Sequence, residues 1–145
     1  MEYRVPFHSP SSLEAISPNG NCVFLALLHG IGGNKEQHEL LRTAVFQHML
    51  KEDIAMKLQI IYGDGFTSCL SHRAVECQVN ENVCGIVIHA AASLLGIDVL
   101  THWEGEDGAL EWLLALASLQ KRVWADNQIG LRFLNNHVDF ITKYK

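Results

Sequence analysis

The fold class predicted from this sequence is one α/β domain with helices around a small sheet, and three observations carry it. The chain has 145 residues, the length of one domain and enough to bury a core. Two apolar runs, 23–28 and 83–95, have the length and glycine stops of buried helices. Near the end, Ile129, Leu131 and Phe133 alternate as a strand does, and a second strand follows at once.

Taken in order, residues 1–16 read as irregular and lead into the turn Ser17-Pro18-Asn19-Gly20. The run from Cys22 to about Gly30 suits a buried helix, ended by Gly30, Gly32 and Gly33. Asn34 suits the N-cap of a second helix reaching about Lys57, with Leu40, Leu41, Ala44, Val45 and Met49 on one face. Residues 62–82 are rich in turn formers and suggest no element. The run 83–95 is apolar nearly all round, which predicts a central helix. Gly96 stops it, and Ile97 to Leu100 reads as a strand. An acidic loop, Gly105 to Gly108, precedes a further helical run from Leu110 to Leu119. Asn135-Asn136 forms a tight turn, and His137 to Thr142 returns as a strand. No repeat, low-complexity tract or linker interrupts the chain, so residues 1–145 are expected to form a single domain.

Composition narrows the function. The net charge is -5 and no basic stripe exists to neutralise phosphates, which argues against a nucleic-acid binder. The longest apolar stretch, Val83 to Leu100, is broken by His89, Ser93, Gly96 and Asp98, and no membrane span is expected. Four cysteines follow a start that lacks the apolar core of a signal peptide. A reduced, cytoplasmic protein is the expectation.

The chemistry-bearing residues lie at opposite ends. Cys22 follows the Pro18-Asn19-Gly20-Asn21 turn and opens an apolar helical run. A thiol there gains from the helix dipole and from free N–H groups, both of which favour the thiolate. The backbone around Gly20, Asn21 and Cys22 is suited to bind a developing oxyanion. His137 and Asp139 are separated by one residue, which in a strand sets both on one face. Asp139 can then orient the imidazole while its other nitrogen serves Cys22. This makes a Cys-His-Asp nucleophilic site and a thiol hydrolase, with core packing and coincidence as the plain alternative.

Asn19-Gly20-Asn21-Cys22-Val23-Phe24 resembles the Asp-Gly-Asn-Cys-Leu-Phe box of the ovarian tumour (OTU) cysteine proteases. His38 with Leu41-Arg42 resembles the His-x-x-Leu-Arg of that family's second helix. Glu76-Cys77 and the run Ala90 to Val99 resemble its central helix and following strand. Ile129-Gly130-Leu131 and Asn136-His137-Val138-Asp139 resemble its closing strand pair. The resemblance implies a papain-like α+β domain, with a small mixed sheet packed between helices. It implies a deubiquitinase that hydrolyses the bond after the C-terminal glycine of ubiquitin or a ubiquitin-like modifier. Cys22 is then the nucleophile, His137 the base and Asp139 the orienting acid, with Asn19 donating to the oxyanion. Polyubiquitin chains are the expected partners, the protein a monomer, and no cofactor or metal is required. Asn19 stands where the family has Asp, Val138 where it favours an aromatic, and Val83-Cys84 where it has Trp before the central helix. The segment 102–124, with Trp103, Trp112 and Trp124, is longer than the family needs. Trp103, Glu104 and Glu106 are expected to meet the basic face of ubiquitin. Trp112 is expected to fill the core.

Two other readings stand beside this one. A catalytically inactive module of the same fold would bind ubiquitin without cutting it. A small zinc-stabilised interaction domain would use Cys69, His72, Cys77 and Cys84, whose spacing fits no common template. His29, His38, His48 and His89 show no ligand spacing; for His89, in the central helix, a satisfied core or semi-exposed position is expected rather than a ligand.

Overall fold

The computed structural model describes residues 10–14, 22–67, 81–104, 110–120, 123–134 and 137–144. Five strands form one mixed sheet: β1 (Pro10–Glu14), β2 (Asp98–Glu104), β3 (Leu110–Ala115), β4 (Gln128–Leu134) and β5 (His137–Tyr144). Their order is β1-β5-β4-β2-β3. The β2–β4 pair is parallel and the other three pairs are antiparallel. The long helices are α1 (Cys22–Ile31), α2 (His38–Met49), α3 (Glu52–Tyr62) and α4 (Glu81–Leu95), and residues 64–67 are helical as well. A 3₁₀ turn at Lys35–Gln37 leads into α2, and Asn34 caps it by accepting from the Glu36 N–H at 2.9 Å.

The apolar runs explain the layers. Val23 to Leu28 of α1, and Ile86 to Ile88 with Ala90 to Ala92 of α4, are buried, as runs without a polar face require. They share one core with Val99, Leu131 and Ala115, which the pairing register sets on a single face of the sheet. α1 packs on β4 and β5, α4 on β2 and β3, and α2 bridges α1 and α4. Gly96 ends α4 at φ 70°, and the Ala92 carbonyl accepts from the N–H groups of Gly96 and Ile97.

Three sequence expectations are corrected. Residues 10–14 are not irregular: they pair with β5 at the sheet edge, with register shifts around Ser12. Pro10 is tolerated there as the first residue of an edge strand.

The second helix is not continuous to Lys57. Lys51 is extended (φ -64°, ψ 135°) and separates α2 from α3. The core positions of α2 are Leu41, Val45, His48 and Met49; continued without a break, their stripe would bring Glu52 and Met56 inward. The break resets the phase, so that Ile54 and Leu58 are buried instead.

Residues 110–119 are not helical. Leu110–Ala115 is a strand paired with β2 throughout. Leu, Ala and Glu favour helices, but pairing with a neighbouring strand overrides that weak preference.

Candidate active site

Cys22 is the first residue of α1. What fixes that helix also fixes where Cys22 stands. Its buried run anchors it in the core, and Phe24 lies under the Arg42 guanidinium of α2, 5.3 Å from the ring centroid. The far end is closed by paired caps: the Gly33 N–H donates to the Leu28 carbonyl at 2.8 Å, and the Gly32 N–H to that of His29 at 3.3 Å. Gly32 takes φ 73°, which a residue with a Cβ adopts only with strain. Gly30 is the contact with the sheet. A Cβ there would sit 2.8 Å from Ile129 Cδ1 and 2.9 Å from Phe140 Cε2. The His29 ring meets Phe140 edge-on at 4.8 Å.

His137 is the first residue of β5 and pairs with Leu134; Asp139 pairs with Arg132. The register sets residues 137 and 139 on one face of the sheet, as their spacing predicts. Val138 and Phe140 hold the opposite face, the one covered by α1. Asp139 and Arg132 are half-buried. From the Gly30–Phe140 contact, the eight residues back to Cys22 span about 12 Å of helix. The three residues from Phe140 back to His137 span about 10 Å of strand. Cys22 and His137 are thus each the first residue of an element that meets the other at the Gly30–Phe140 contact.

Asn19, Gly20, Asn21 and Glu106 lie outside the described residues, as do Cys69, His72 and Cys77. Cys84 lies in the first turn of α4. Among the described residues, no group of three or more His, Cys, Asp or Glu is arranged to hold a metal ion. Trp103 and Glu104 end β2, an inner strand, with Trp103 paired to Glu111 on one side and Phe133 on the other. Trp112 is half-buried in β3, edge-on to the His102 ring at 4.8 Å.

Several residues that organise the fold have partners that the sequence does not reveal. Asp98 is completely buried at the start of β2, where its carboxylate accepts from the N–H groups of Ala117 and Ala125, each at 2.9 Å. Its own N–H donates to the Asn127 carbonyl at 3.0 Å. His89 is a buried core histidine, and its partner comes from a distant element: the Tyr62 hydroxyl of α3 lies 2.9 Å from Nδ1. Burial lowers the His89 pKa against the opposing effect of the Leu116 backbone, and burial pushes the Tyr62 pKa up to about 12. His48 of α2 likewise meets Ser93 of α4 at 2.9 Å. A single His or Asp in an apolar run shows only that a polar partner is needed, not where it comes from.

No family model and no curated protein sequence matches the chain. Solved structures do resemble it. The OTU domain of OTUD1 superposes with a TM-score of 0.61 at 16% identity, covering 90% of this chain and 85% of that one. The viral OTU domain protease from Dera Ghazi Khan virus gives 0.60 at 9% identity, covering 92% and 81%. That from Farallon virus gives 0.57 at 12% identity, covering 92% and 84%. Likeness over nine-tenths of the chain, with five strands and a buried cysteine-led helix in sequence, identifies the fold as that of OTU domains.

Proposed function

We propose that the protein is a cysteine peptidase that hydrolyses the peptide or isopeptide bond after the C-terminal glycine of ubiquitin or a ubiquitin-like modifier. One observation carries the reading: α1, led by Cys22, packs on β5, led by His137, in a fold shared with OTU domain proteases. The Cys22 thiolate attacks the glycine carbonyl carbon. Negative charge passes to the carbonyl oxygen, where Asn19 and the N–H groups of residues 20–22 stabilise it. His137, protonated and oriented by Asp139, gives its proton to the departing lysine amine as the C–N bond breaks. A thioester to Cys22 remains. His137 then takes a proton from water, which attacks the thioester, and collapse returns the thiol and a free glycine carboxylate. A free thiol at Cys22 requires reducing surroundings, which the cytosol supplies.

The test is reaction with ubiquitin bearing a C-terminal electrophile, run on wild type and on Cys22→Ala. A covalent adduct with wild type alone is expected. Asn19, in the place of the usual Asp, favours a second reading, a module that binds ubiquitin without cutting it. Binding without an adduct selects that reading, and no binding at all overturns both.

A further inference from the structure

The two edges of the sheet are built differently. β1 is guarded: it starts with Pro10, which has no N–H to offer, and its register on β5 shifts on both sides of Ser12. β3 has no such device. Leu110–Ala115 holds no Pro, Gly, Lys or Arg, and it pairs with β2 residue by residue without a shift. Among the described residues the sheet ends at β3. The inner strands are covered on both faces, since Leu131 on the helix side and Leu100 on the other are completely buried. The edge is open on both. Leu113 shares the face of Leu131 and is 41% exposed, and Leu114 shares that of Leu100 and is 40% exposed. A straight edge with apolar side chains above and below is a template for another strand.

The strand that this edge matches is its own copy. A two-fold axis perpendicular to the sheet sets two β3 strands antiparallel, and the joint closes at two chains. Pairing β3 on β1 would instead run on from chain to chain, and Pro10 and the shifted register oppose it. With the axis at Leu113, Leu113 faces its copy, Trp112 faces Leu114 and Glu111 faces Ala115. The one charged residue of the strand therefore never meets its like. β2 and β4 separate β3 from β5, so the joint leaves the strand headed by His137 clear in both copies. We infer that two copies of this chain pair through β3, joining their five-stranded sheets into one. Residues 111–115 of each chain make a small joint of the transient class, with a dissociation constant on the order of 100 µM. The net charge of -5 on each copy opposes it, so salt should tighten the pair by screening that repulsion.

Sedimentation velocity between about 10 µM and about 1 mM brackets that constant. The wild type should pass from monomer to dimer across this range, and at lower concentration in higher salt. Leu113→Glu sets two carboxylates against each other and should weaken the pair by about tenfold or more; Leu113→Lys should do the same with two cations. An equal mixture of the two variants should dimerise again, because Lys then faces Glu across the axis, which a merely damaged fold would not do. Hydrogen exchange reads the joint without any substitution: the wild-type β3 amides should slow as concentration rises, and those of β1 should not. A wild type that stays monomeric throughout overturns the inference and leaves the edge to a strand of another protein. So does a dimer that Leu113→Glu leaves intact, a mixture of variants that stays monomeric, or β3 exchange that is the same at every concentration. None of these readings depends on whether Cys22 cuts a bond.

Discussion

Replacing Asp98 with alanine should cost the fold about 3 kcal/mol. The carboxylate is completely buried and accepts two backbone N–H groups at 2.9 Å. A hydrogen bond to a charged group contributes about 1.5–3 kcal/mol, and an orphaned buried donor costs about 1–3 kcal/mol. Both bonds here are only partly buried, so water recovers some of the loss. The lower end of the range applies, about 1.5 kcal/mol for each bond. Against a total stability of about 5–15 kcal/mol, the variant still folds. Asp98→Asn keeps the shape and one acceptor but turns an amide N–H toward the other donor; it should lose about 2 kcal/mol. Urea unfolding followed by circular dichroism reads both, with the midpoint falling and the slope unchanged. A loss below about 1 kcal/mol for Asp98→Ala would refute the claim that this carboxylate pins the connection between β3 and β4.

Three further outcomes are expected. Gly30→Ala gains up to about 1 kcal/mol of helix propensity but drives a methyl into Ile129 and Phe140, an overpacking cost of about 1–3 kcal/mol. The small net loss of stability should come with up to about a hundredfold loss of kcat/KM as α1 shifts on β5, and unchanged kinetics would detach the α1 seat from the site. His89 and His48 both have pKa values lowered by burial, so the unfolded chain binds more protons below the ordinary value of 6.5. Their contribution is complete above that value and is lost as pH falls beneath it; the melting temperature of His89→Gln should therefore fall less steeply with acid than that of wild type, and parallel profiles would contradict the assignment. His137→Ala should abolish turnover, while Asp139→Ala loses less, up to about 10⁴-fold if the wrong tautomer forms; full activity in His137→Ala would move the base elsewhere, His102 being the next to test.

Legibility in the sequence followed the reach of each signal. The α1 and α4 runs were readable because burial on all sides leaves a continuous apolar segment and because Gly32 and Gly96 mark the stops with positive φ. The pairing of β4 with β5 was readable from alternation together with the turn formers Asn135-Asn136, and with it the shared face of residues 137 and 139. Leu110–Ala115 was misread because an apolar run this short fits either period, and only the facing β2 decides it. The α2–α3 break carries no Gly or Pro; it lies in one extended lysine whose reason is the phase of the core on either side. The candidate site was legible as two half-motifs, while the Gly30 contact that seats α1 on β4 and β5 is announced by no spacing.

Asp98 also sets where this fold can grow. β3 and β4 flank β2 on opposite sides, and Ala115 and Gln128 both lie at the end where β2 begins. The chain joins them by stepping past that end, with Asp98 holding Ala117 on one side of the step and Ala125 on the other. Between these two pins, Ser118 closes a local turn by bonding to Gln120 and Val123, and Leu119 turns inward at φ 58°. Gln120 and Val123 are exposed. Since both ends are clamped from beneath, extra residues after Gln120 would change neither the register of β4 nor the seat of β5. Each doubling of a flexible loop costs only about 0.6 kcal/mol. The span is therefore a graft site, where a peptide or a small domain can be inserted while the strand that begins with His137 stays in place.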